Sequence, residues 1–356
     1  MIDFRLQKFA WVALAAAALF GISTPLAKIM LGDLPALGLA GLLYLGSGAG
    51  LLLVWLLRRA GRDTAARSES ALTARDWPWL FGAVAAGGVI APVLLLWGLR
   101  GTGAAAASLL LNLEGALTTL IAALLFREAV GARIWFAILV MAAAGAMLGW
   151  RAGGGGWSPQ SLAIAGACAF WALDNNLTRK VSGSDPSTIA MIKGLVAGTI
   201  NTTLAVALGM TLPATGTLIA ALLLGFLSYG VSLVLFIHAL RHLGSARATA
   251  HFGTAPFIGA ALAVLLLGEP LTPLFAAALS LMAIAAWLVL SERHGHRHQH
   301  SPLVHSHRHV HDAHHQHAHD GSVSSDEDEG HAHRHEHSSL THTHAHLPDL
   351  HHRHRH

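Results

Sequence analysis

The chain contains ten apolar runs, each long enough to cross the roughly 30 Å hydrocarbon core of a bilayer, which takes about 20 residues of helix. Charged residues make up only 12% of the sequence, against about 25% in soluble domains. We therefore predict an all-α integral membrane protein with ten transmembrane helices. The predicted spans are 9–31, 34–57, 78–98, 102–126, 130–150, 160–178, 187–209, 216–240, 244–267 and 270–290.

The distribution of Lys and Arg predicts the topology. With the N-terminus inside, 13 of these residues fall in cytoplasmic segments and three, Lys28, Arg100 and Arg151, fall on the other side, as the positive-inside rule requires. The first span, after Arg5 and Lys8, is too long for the apolar region of a signal peptide, so we expect a retained signal anchor. The chain is thus expected to be a multi-pass protein of the inner (plasma) membrane, in contact with the lipid bilayer, with both termini cytoplasmic.

Several sequence motifs of catalysis are missing. None of the four lysines follows a glycine, which excludes a P-loop, and the chain has neither HExxH nor GxSxG. An ATP-driven pump and an intramembrane hydrolase are therefore disfavoured, and we expect neither enzymatic activity nor a nucleic-acid partner. The single cysteine, Cys168, allows no disulfide framework and no thiolate metal cluster, and no cofactor is expected to be required.

The apolar part repeats internally. Residues 99–130 (LRGTGAAAASLLLNLEGALTTLIAALLFREAV) align with residues 240–271 (LRHLGSARATAHFGTAPFIGAALAVLLLGEPL) at a constant offset of 141, and a second match links 20–28 to 171–179. The pattern indicates a duplication of five spans. Because five is odd, the second copy crosses the membrane in the opposite sense, which is typical of inverted-repeat transporters.

These two segments resemble the EamA domains of the drug/metabolite transporter superfamily. The resemblance implies ten helices in two inverted repeats, residues 1–150 and 151–290, and gradient-driven export of small metabolites or drugs. The family also has a proline in the fourth helix of each repeat. That position holds Pro256 in the second copy but Gly115 in the first. The Trp-Gly pair common in the family's first helix is replaced here by Phe20-Gly21. Residues 291–356 lie outside the resemblance.

Ionisable side chains within apolar spans are costly and usually mark a transport pathway. Glu114 lies at the centre of the fourth span, beside Asn112. We expect it either to couple proton movement to transport or to contact a cationic substrate, the alternative being a neutral carboxyl group hydrogen-bonded between helices.

A second polar group comprises Asp174, Asn175 and Asn176 in the sixth span and Lys193 at similar depth in the seventh. An Asp174–Lys193 ion pair would form a gate or part of a cavity wall, unless Lys193 extends to the interface instead. His251 in the ninth span is a candidate for proton transfer or metal binding, with a structural hydrogen bond as the alternative. We expect spans one, four, six, seven and nine to line the cavity.

Helix-weakening residues occupy equivalent positions in the two copies. Gly115 and Pro256 are candidate hinges at the binding site, or kinks that serve packing, and Pro25 is a third candidate hinge. Glu128 and Glu269 also correspond, and we expect each to cap the helix that it precedes.

Histidine dominates residues 291–356, which hold 23 of the 26 in the chain. In an extended backbone, His-x-His presents two imidazoles on one side, which suits Ni²⁺, Co²⁺, Zn²⁺ or Cu²⁺. Because this composition cannot bury a core, we expect a disordered tail without metal. The candidate metal ligands are His294, His296, His298, His305, His307, His309, His311, His314, His315, His317, His319, His331, His333, His335 and His337.

Three functions fit these features. In the first, which we prefer, the apolar part exports a small metabolite or drug while the tail binds metal. In the second, the apolar part transports the transition metal that the tail collects. In the third, the protein is a membrane-anchored metal buffer or sensor, although Glu114, Asp174 and Lys193 would then carry a needless cost.

Overall fold

Helices form the body of the protein in the computed structural model, which describes residues 4–60, 72–126, 130–150, 157–181, 185–243, 245–291, 295–299, 303–309, 331–337 and 341–345. The first half contains α1 (Phe4–Gly21), α2 (Ser23–Met30), α3 (Ala36–Ala60), α4 (Trp77–Ala83), the π-helical segment π1 (Val84–Ile90), α5 (Ala91–Gly101), α6 (Ala104–Leu110), α7 (Leu113–Phe126) and α8 (Ala132–Gly149). The second contains α9 (Pro159–Thr178), a 3₁₀ turn (Arg179–Val181), α10 (Pro186–Ala207), α11 (Thr215–Gly225), π2 (Phe226–Val231), α12 (Ser232–Leu243), α13 (Ser245–Phe252), α14 (Ala255–Leu267) and α15 (Pro273–Leu290).

Within the described residues, seven helical segments are long and apolar enough to cross a membrane. They are Lys8–Met30, Ala36–Leu57, Trp77–Gly101, Ala104–Leu125, Ala132–Gly149, Ser187–Ala207 and Thr215–Ala239. Ala255–Leu267 and Pro273–Val289 are shorter apolar helices. The protein is therefore a helical membrane protein.

The helices of the two halves correspond in order and position. The starts of α12, α13 and α15 are displaced from the starts of α5, α6 and α8 by the same offset as the sequence repeat, and the end of α15 is displaced from the end of α8 in the same way. The two π-helical segments also end at corresponding residues, Ile90 and Val231. The duplication seen in the sequence thus extends to helix boundaries and to an uncommon helix type.

Predicted spans one, four and nine are each interrupted. The first changes from α1 to α2 at Ile22, the fourth breaks at Leu111 and Asn112, and the ninth breaks at Gly253 and Thr254. These are the three predicted spans that contain the candidate hinges Pro25, Gly115 and Pro256. Gly21 precedes the first break, Gly115 follows the second and Gly253 lies within the third. Residues that weaken a helix cost less at such points, because the backbone is already irregular.

Glycines bring α3 and α10 into close contact. A Cβ added to Gly48 would overlap the backbone of Leu195, and one added to Gly194 would overlap the backbone of Gly48. Gly198 meets Leu45 in the same way, so Gly194 and Gly198 form a small-xxx-small pattern. This seam joins the second predicted span to the seventh.

The interior of the bundle is built from alanine and leucine, with Leu39, Leu99 and Leu109 fully buried. Large apolar side chains also cover the outside, where Leu265 is 77% and Trp11 is 71% exposed. A soluble protein would rarely leave so many such groups in water, whereas lipid solvates them.

Four short strands lie beyond α15. β1 (Gly295–Gln299) pairs antiparallel with β4 (Thr341–Ala345), and β2 (Leu303–His309) pairs antiparallel with β3 (His331–His337). We expect disorder in the tail because its composition cannot bury a core, and outside these four short segments that stays a prediction. The His-x-His alternation has the period of two that suits a strand. Glu128, His294, His311, His314, His315, His317 and His319 lie outside the described residues.

Candidate functional site

Glu114 stands in the first turn of α7, directly after the break in the fourth predicted span. The hydroxyl of Thr118 donates to the Glu114 carbonyl oxygen at 2.8 Å, and that of Thr119 donates to the Gly115 carbonyl oxygen at 3.0 Å. These bonds serve backbone groups near the start of the helix. The break therefore places a carboxylate at a helix N-terminus, whose dipole favours negative charge.

The Glu114 carboxylate contacts the sixth predicted span through an amide. Nδ2 of Asn175, in α9, donates to Glu114 Oε1 at 2.8 Å and lies 3.3 Å from the Thr118 hydroxyl. Asn175 is exposed and Glu114 is half-buried. A Cβ added to the neighbouring Gly115 would meet no atom within 4 Å, so the first turn of α7 borders open space.

Asp174 and Lys193 form the ion pair that the sequence suggested. Lys193 Nζ lies 2.6 Å from both Asp174 carboxylate oxygens, and the Thr178 hydroxyl donates to Asp174 Oδ1 at 2.8 Å. The Asp174 side chain is only 8% exposed. Because the lysine compensates the aspartate, this buried charge differs from Glu114, whose hydrogen bond comes from a neutral amide.

The π1 segment brings the third predicted span into this group. Its Gly87 carbonyl oxygen accepts hydrogen bonds from the Tyr44 hydroxyl at 2.7 Å and from Trp171 Nε1 at 2.9 Å. Asn201 Nδ2 lies 3.2 Å from the Gly88 carbonyl oxygen. In a π-helical turn the backbone hydrogen bonds of the regular α-helix are changed. The carbonyl oxygens of Gly87 and Gly88 accept hydrogen bonds from side chains of α3, α9 and α10 instead.

Gly87 also fixes the position of Asp174. A Cβ added to Gly87 would overlap Asp174 Oδ2. Only glycine therefore leaves space for the Asp174 carboxylate against π1, and the carboxylate in turn holds Lys193.

Aromatic rings lie next to the polar group. The ring of Tyr44 is 5.7 Å from that of Tyr229, which belongs to π2, and Tyr229 is 5.8 Å from Phe20. Phe20 is 5.6 Å from Phe252 at the end of α13. All four side chains are half-buried. This aromatic cluster joins α1, α3, π2 and α13.

Three further predicted site residues are Asn112, Asn176 and His251. Asn112 Nδ2 donates to the Leu109 carbonyl oxygen at 2.9 Å, at the break itself. Asn176 Nδ2 donates to the carbonyl oxygens of Ala172 and Thr118, which ties α9 to α7. His251 is half-buried in the last turn of α13, where its carbonyl oxygen accepts from the Thr254 hydroxyl at 2.6 Å.

The three candidate hinges lie at the three helix breaks. Pro25 is buried in α2, shortly after Ile22, Gly115 is in the first turn of α7, and Pro256 is in the first turn of α14. Proline fits the first turn of a helix because it has no amide hydrogen to leave unpaired there.

A cavity of about 490 Å³ lies at another place in the bundle, between the end of α2, the start of α6, the end of α8 and the start of α15. Lys28 and Glu269 both line it. Lys28 Nζ donates to the carbonyl oxygens of Leu99 and Thr102, at the C-terminal end of α5. Glu269 accepts hydrogen bonds from the amides of Ala104 and Ala105 at 2.6 and 2.9 Å. The prediction that Glu269 caps the helix following it was therefore wrong, because it caps α6 of the first half.

Sequence reasoning missed Gly87, Tyr44, Trp171 and Tyr229. The consecutive glycines Gly87 and Gly88 in the middle of a predicted span were a usable signal, because glycine there marks an irregular or closely packed backbone. The aromatic residues gave no such signal, since their neighbours come from distant parts of the chain. Tyr44, Gly87 and Tyr229 bring predicted spans two, three and eight into this group of side chains, in addition to the spans that we expect to line the cavity.

A preformed metal site is not seen in the part of the chain that the structure describes. No group of three or more His, Cys, Asp or Glu side chains there is placed to hold a metal ion.

Comparison with known proteins agrees with the geometry. Residues 7–150 and 159–291 each match the model of the EamA-like transporter family. The chain is 29% identical, over 272 residues, to an uncharacterized transporter of Methanothermobacter thermautotrophicus, a match that covers 72% of this chain and 78% of the relative. A crystal structure of a protein with 20% identity aligns with a TM-score of 0.58 over 79% of this chain and 95% of its own, which supports the fold. With both halves matched, the chain belongs to the EamA-like transporter family.

Proposed function

We propose that this membrane transporter is a proton-linked secondary exporter of small organic solutes that works by alternating access. The observation that carries the proposal is the contrast between its two interior carboxylates. Asp174 is paired with Lys193 at 2.6 Å, whereas Glu114 Oε1 accepts from the neutral amide of Asn175. A carboxylate of the second kind can gain and lose a proton, or a cation, without breaking an ion pair.

We further propose that ten segments cross the membrane as two inverted sets of five. The seven candidate spans are joined by α9, the broken α13–α14 and α15. Support comes from the helices that begin at corresponding residues of the two halves and from the two family matches. With the protein in the inner membrane, both termini would then face the cytoplasm. Labelling of single introduced cysteines with an impermeant thiol reagent tests this orientation.

Alternating access requires elements that bend. Gly115 and Pro256 occupy corresponding positions, and the breaks that precede them lie within one residue of corresponding positions in the two halves. Broken helices near the midplane are where inverted-repeat transporters bind substrate. A change in the protonation of Glu114 acts directly on the first turn of α7, and so on the break itself.

The surroundings suggest the kind of solute. Phe20, Tyr44, Tyr229 and Phe252 offer ring faces that suit an apolar or aromatic group, and rings of this kind also attract cations. With Glu114 as the uncompensated acid nearby, a small organic cation with an aromatic part is the solute class that fits best.

The test is solute-driven proton movement in proteoliposomes that contain a trapped pH-sensitive dye. Tetraphenylphosphonium serves as an aromatic cation and phenylalanine as a zwitterion. We expect proton movement with the wild type and none with Glu114→Gln, whose amide oxygen can still accept from Asn175 and so preserve the fold. Asp33→Asn removes an exposed carboxylate in the turn after α2 and is the matched control. Unchanged proton movement in Glu114→Gln would refute the role of this residue.

The second candidate, transport of the transition metal itself, is favoured by the histidine-rich tail. Ni²⁺, Co²⁺ and Zn²⁺ are therefore included as solutes for the full chain and for a truncation after Leu290. Metal flux that Glu114→Gln abolishes and truncation merely weakens would make metal the cargo. Metal binding by the full chain, without flux of any solute in any variant, would instead favour a membrane-anchored buffer or sensor.

A further inference from the structure

The cavity between the ends of α2, α6, α8 and α15 has the size and position of a second binding site, apart from the group around Glu114. Its volume is about 490 Å³, which is within the range of small-molecule sites. All four helix ends lie on the side of the membrane that carries Lys28, Arg100 and Arg151 in the predicted topology. An occupant of the cavity would therefore lie at the depth of the lipid headgroups on the outer side.

An apolar wall connects this cavity with the lipid-facing surface. The wall consists of Met147, Leu148, Trp150, Leu274 and Phe275. Trp150 is 54% and Leu274 is 48% exposed, and both lie at helix ends, where tryptophan is typical of the membrane interface. The wall therefore suits the apolar part of an amphiphile that approaches from the bilayer.

Two side chains of opposite charge also line the cavity. Lys28 and Glu269 are both half-buried, and they are close enough for their charges to attract each other. Lys28 Nζ donates to three carbonyl oxygens, those of Leu99, Arg100 and Thr102, which uses all three of its hydrogens. The lysine therefore attracts an anionic group by its charge and not by a further hydrogen bond.

Glu269 can accept more hydrogen bonds than the backbone gives it. The amides of Ala104 and Ala105 donate to Oε1 and Oε2 at 2.6 and 2.9 Å, whereas a carboxylate has about four acceptor positions. Gly103 also lines the cavity, and a Cβ there would lie 2.8 Å from Glu269 Oε2. Because glycine has no side chain, this part of the carboxylate stays open to the cavity. Glu269 is thus suited to a ligand that carries N–H donors.

We propose that the cavity binds a phospholipid with an ethanolamine headgroup. The ammonium group donates to Glu269, the phosphate lies next to Lys28, and the glycerol and upper acyl chains contact the apolar wall. This headgroup joins an N–H donor cation to an anion, and so matches a carboxylate with free acceptor positions beside a lysine that supplies only charge. A choline headgroup has the same net charge but no N–H group, and a glycerol headgroup has no cation. The proposal holds whichever solute the protein transports.

The test is lipid binding to the purified full chain, measured by native mass spectrometry with phosphatidylethanolamine, phosphatidylcholine and phosphatidylglycerol of identical acyl chains. We expect the ethanolamine lipid to bind about tenfold more tightly than the choline lipid, the size expected for one hydrogen bond to a charged group. Glu269→Gln should remove this preference, because the amide is uncharged. Equal affinities of the wild type for the three lipids would overturn the proposal, as would an unchanged preference in Glu269→Gln.

A second variant leaves the charges and the helix caps as they are. Ala106 lines the cavity, and Ala106→Phe should fill part of it and weaken binding of the ethanolamine lipid by about tenfold, because the added ring and the lipid compete for one space. Ala277→Phe is the matched control, since Ala277 is exposed on α15 and does not line the cavity. Binding by Ala106→Phe as tight as in the wild type, or an equal loss in Ala277→Phe, would contradict the proposal. Displacement of the lipid by free phenylalanine would identify a soluble zwitterion as the ligand and overturn the assignment to lipid.

Discussion

Glu269 binds the backbone amide of Ala104, although 165 residues separate them in the sequence. The carboxylate also accepts from the amide of Ala105, and a Cβ added to Gly103 would lie 2.8 Å from Glu269 Oε2. Unpaired amides at the start of a helix need acceptors, and here the second half of the chain supplies one to the first. The contact therefore links the two repeats at the turn that opens the fourth predicted span.

Replacing Glu269 should release the start of α6. In Glu269→Ala we expect faster hydrogen exchange at the amides of Ala104 and Ala105 and a loss of about 1 kcal/mol in stability, as for other helix caps. Thr272→Ala is the control, because Thr272 caps α15 through the Phe275 amide and should affect that helix alone. Unchanged exchange at Ala104 would contradict this prediction.

Removing one partner of the buried ion pair should be worse than removing both. Lys193→Met leaves the Asp174 carboxylate uncompensated, and we expect a loss of about 3 kcal/mol in stability, within the range for broken buried pairs. The double variant Asp174→Asn, Lys193→Met should recover most of the loss. Thermal unfolding of the wild type, Asp174→Asn, Lys193→Met and the double variant in one detergent measures the effect. A double variant less stable than either single one would disprove the coupling.

Gly87→Ala should reduce transport, because it displaces the Asp174 carboxylate. The added methyl group occupies the space of Asp174 Oδ2, so the carboxylate must move away from Lys193. We expect reduced transport and a lower unfolding temperature. Gly166→Ala is the matched control, because a Cβ there meets its nearest atom, Leu94 Cδ1, at an ordinary 3.6 Å. Equal activity of the two variants would exclude this role for Gly87.

The sequence predicted the helices well where hydrophobicity alone decides their position. Predicted spans 130–150 and 270–290 contain α8 and α15 entirely, because each is one uninterrupted apolar run between turn residues. The Asp174–Lys193 pair was also predictable, since two charges at equal depth in neighbouring spans have few other partners.

Features that depend on neighbours distant in the sequence could not be predicted. The target of Glu269 lies in the other half of the chain, and the hydrogen bonds of the Gly87 carbonyl come from α3 and α9. The candidate hinges Pro25 and Gly115 lie close to the breaks at Ile22 and Asn112, but the exact positions of these breaks could not be predicted, because hydropathy is the same on both sides. The strands of the tail were not predicted, because composition indicates only whether a segment can bury a core, whereas a strand depends on how its residues alternate.

Gly115→Ala tests whether the break in the fourth predicted span must bend. An added methyl group meets no atom within 4 Å, so overlap is not a factor, and alanine stabilises a helix by up to about 1 kcal/mol relative to glycine. We expect an unchanged or higher unfolding temperature together with slower transport. Gly216→Ala, equally open but at the start of α11, should leave transport unchanged. Full activity of Gly115→Ala would show that flexibility at this position is not needed.

The π-helical segments offer the bundle a discrete rotary step. A π turn holds one residue more than an α turn, and one residue of α-helix corresponds to about 100° of rotation and about 1.5 Å of rise. Re-forming π1 as regular α-helix would turn α5 relative to α4 by that amount and withdraw the Gly87 carbonyl oxygen from Tyr44 and Trp171. Because π2 occupies the corresponding place in the second half, re-forming it in the same way would turn α12 relative to α11.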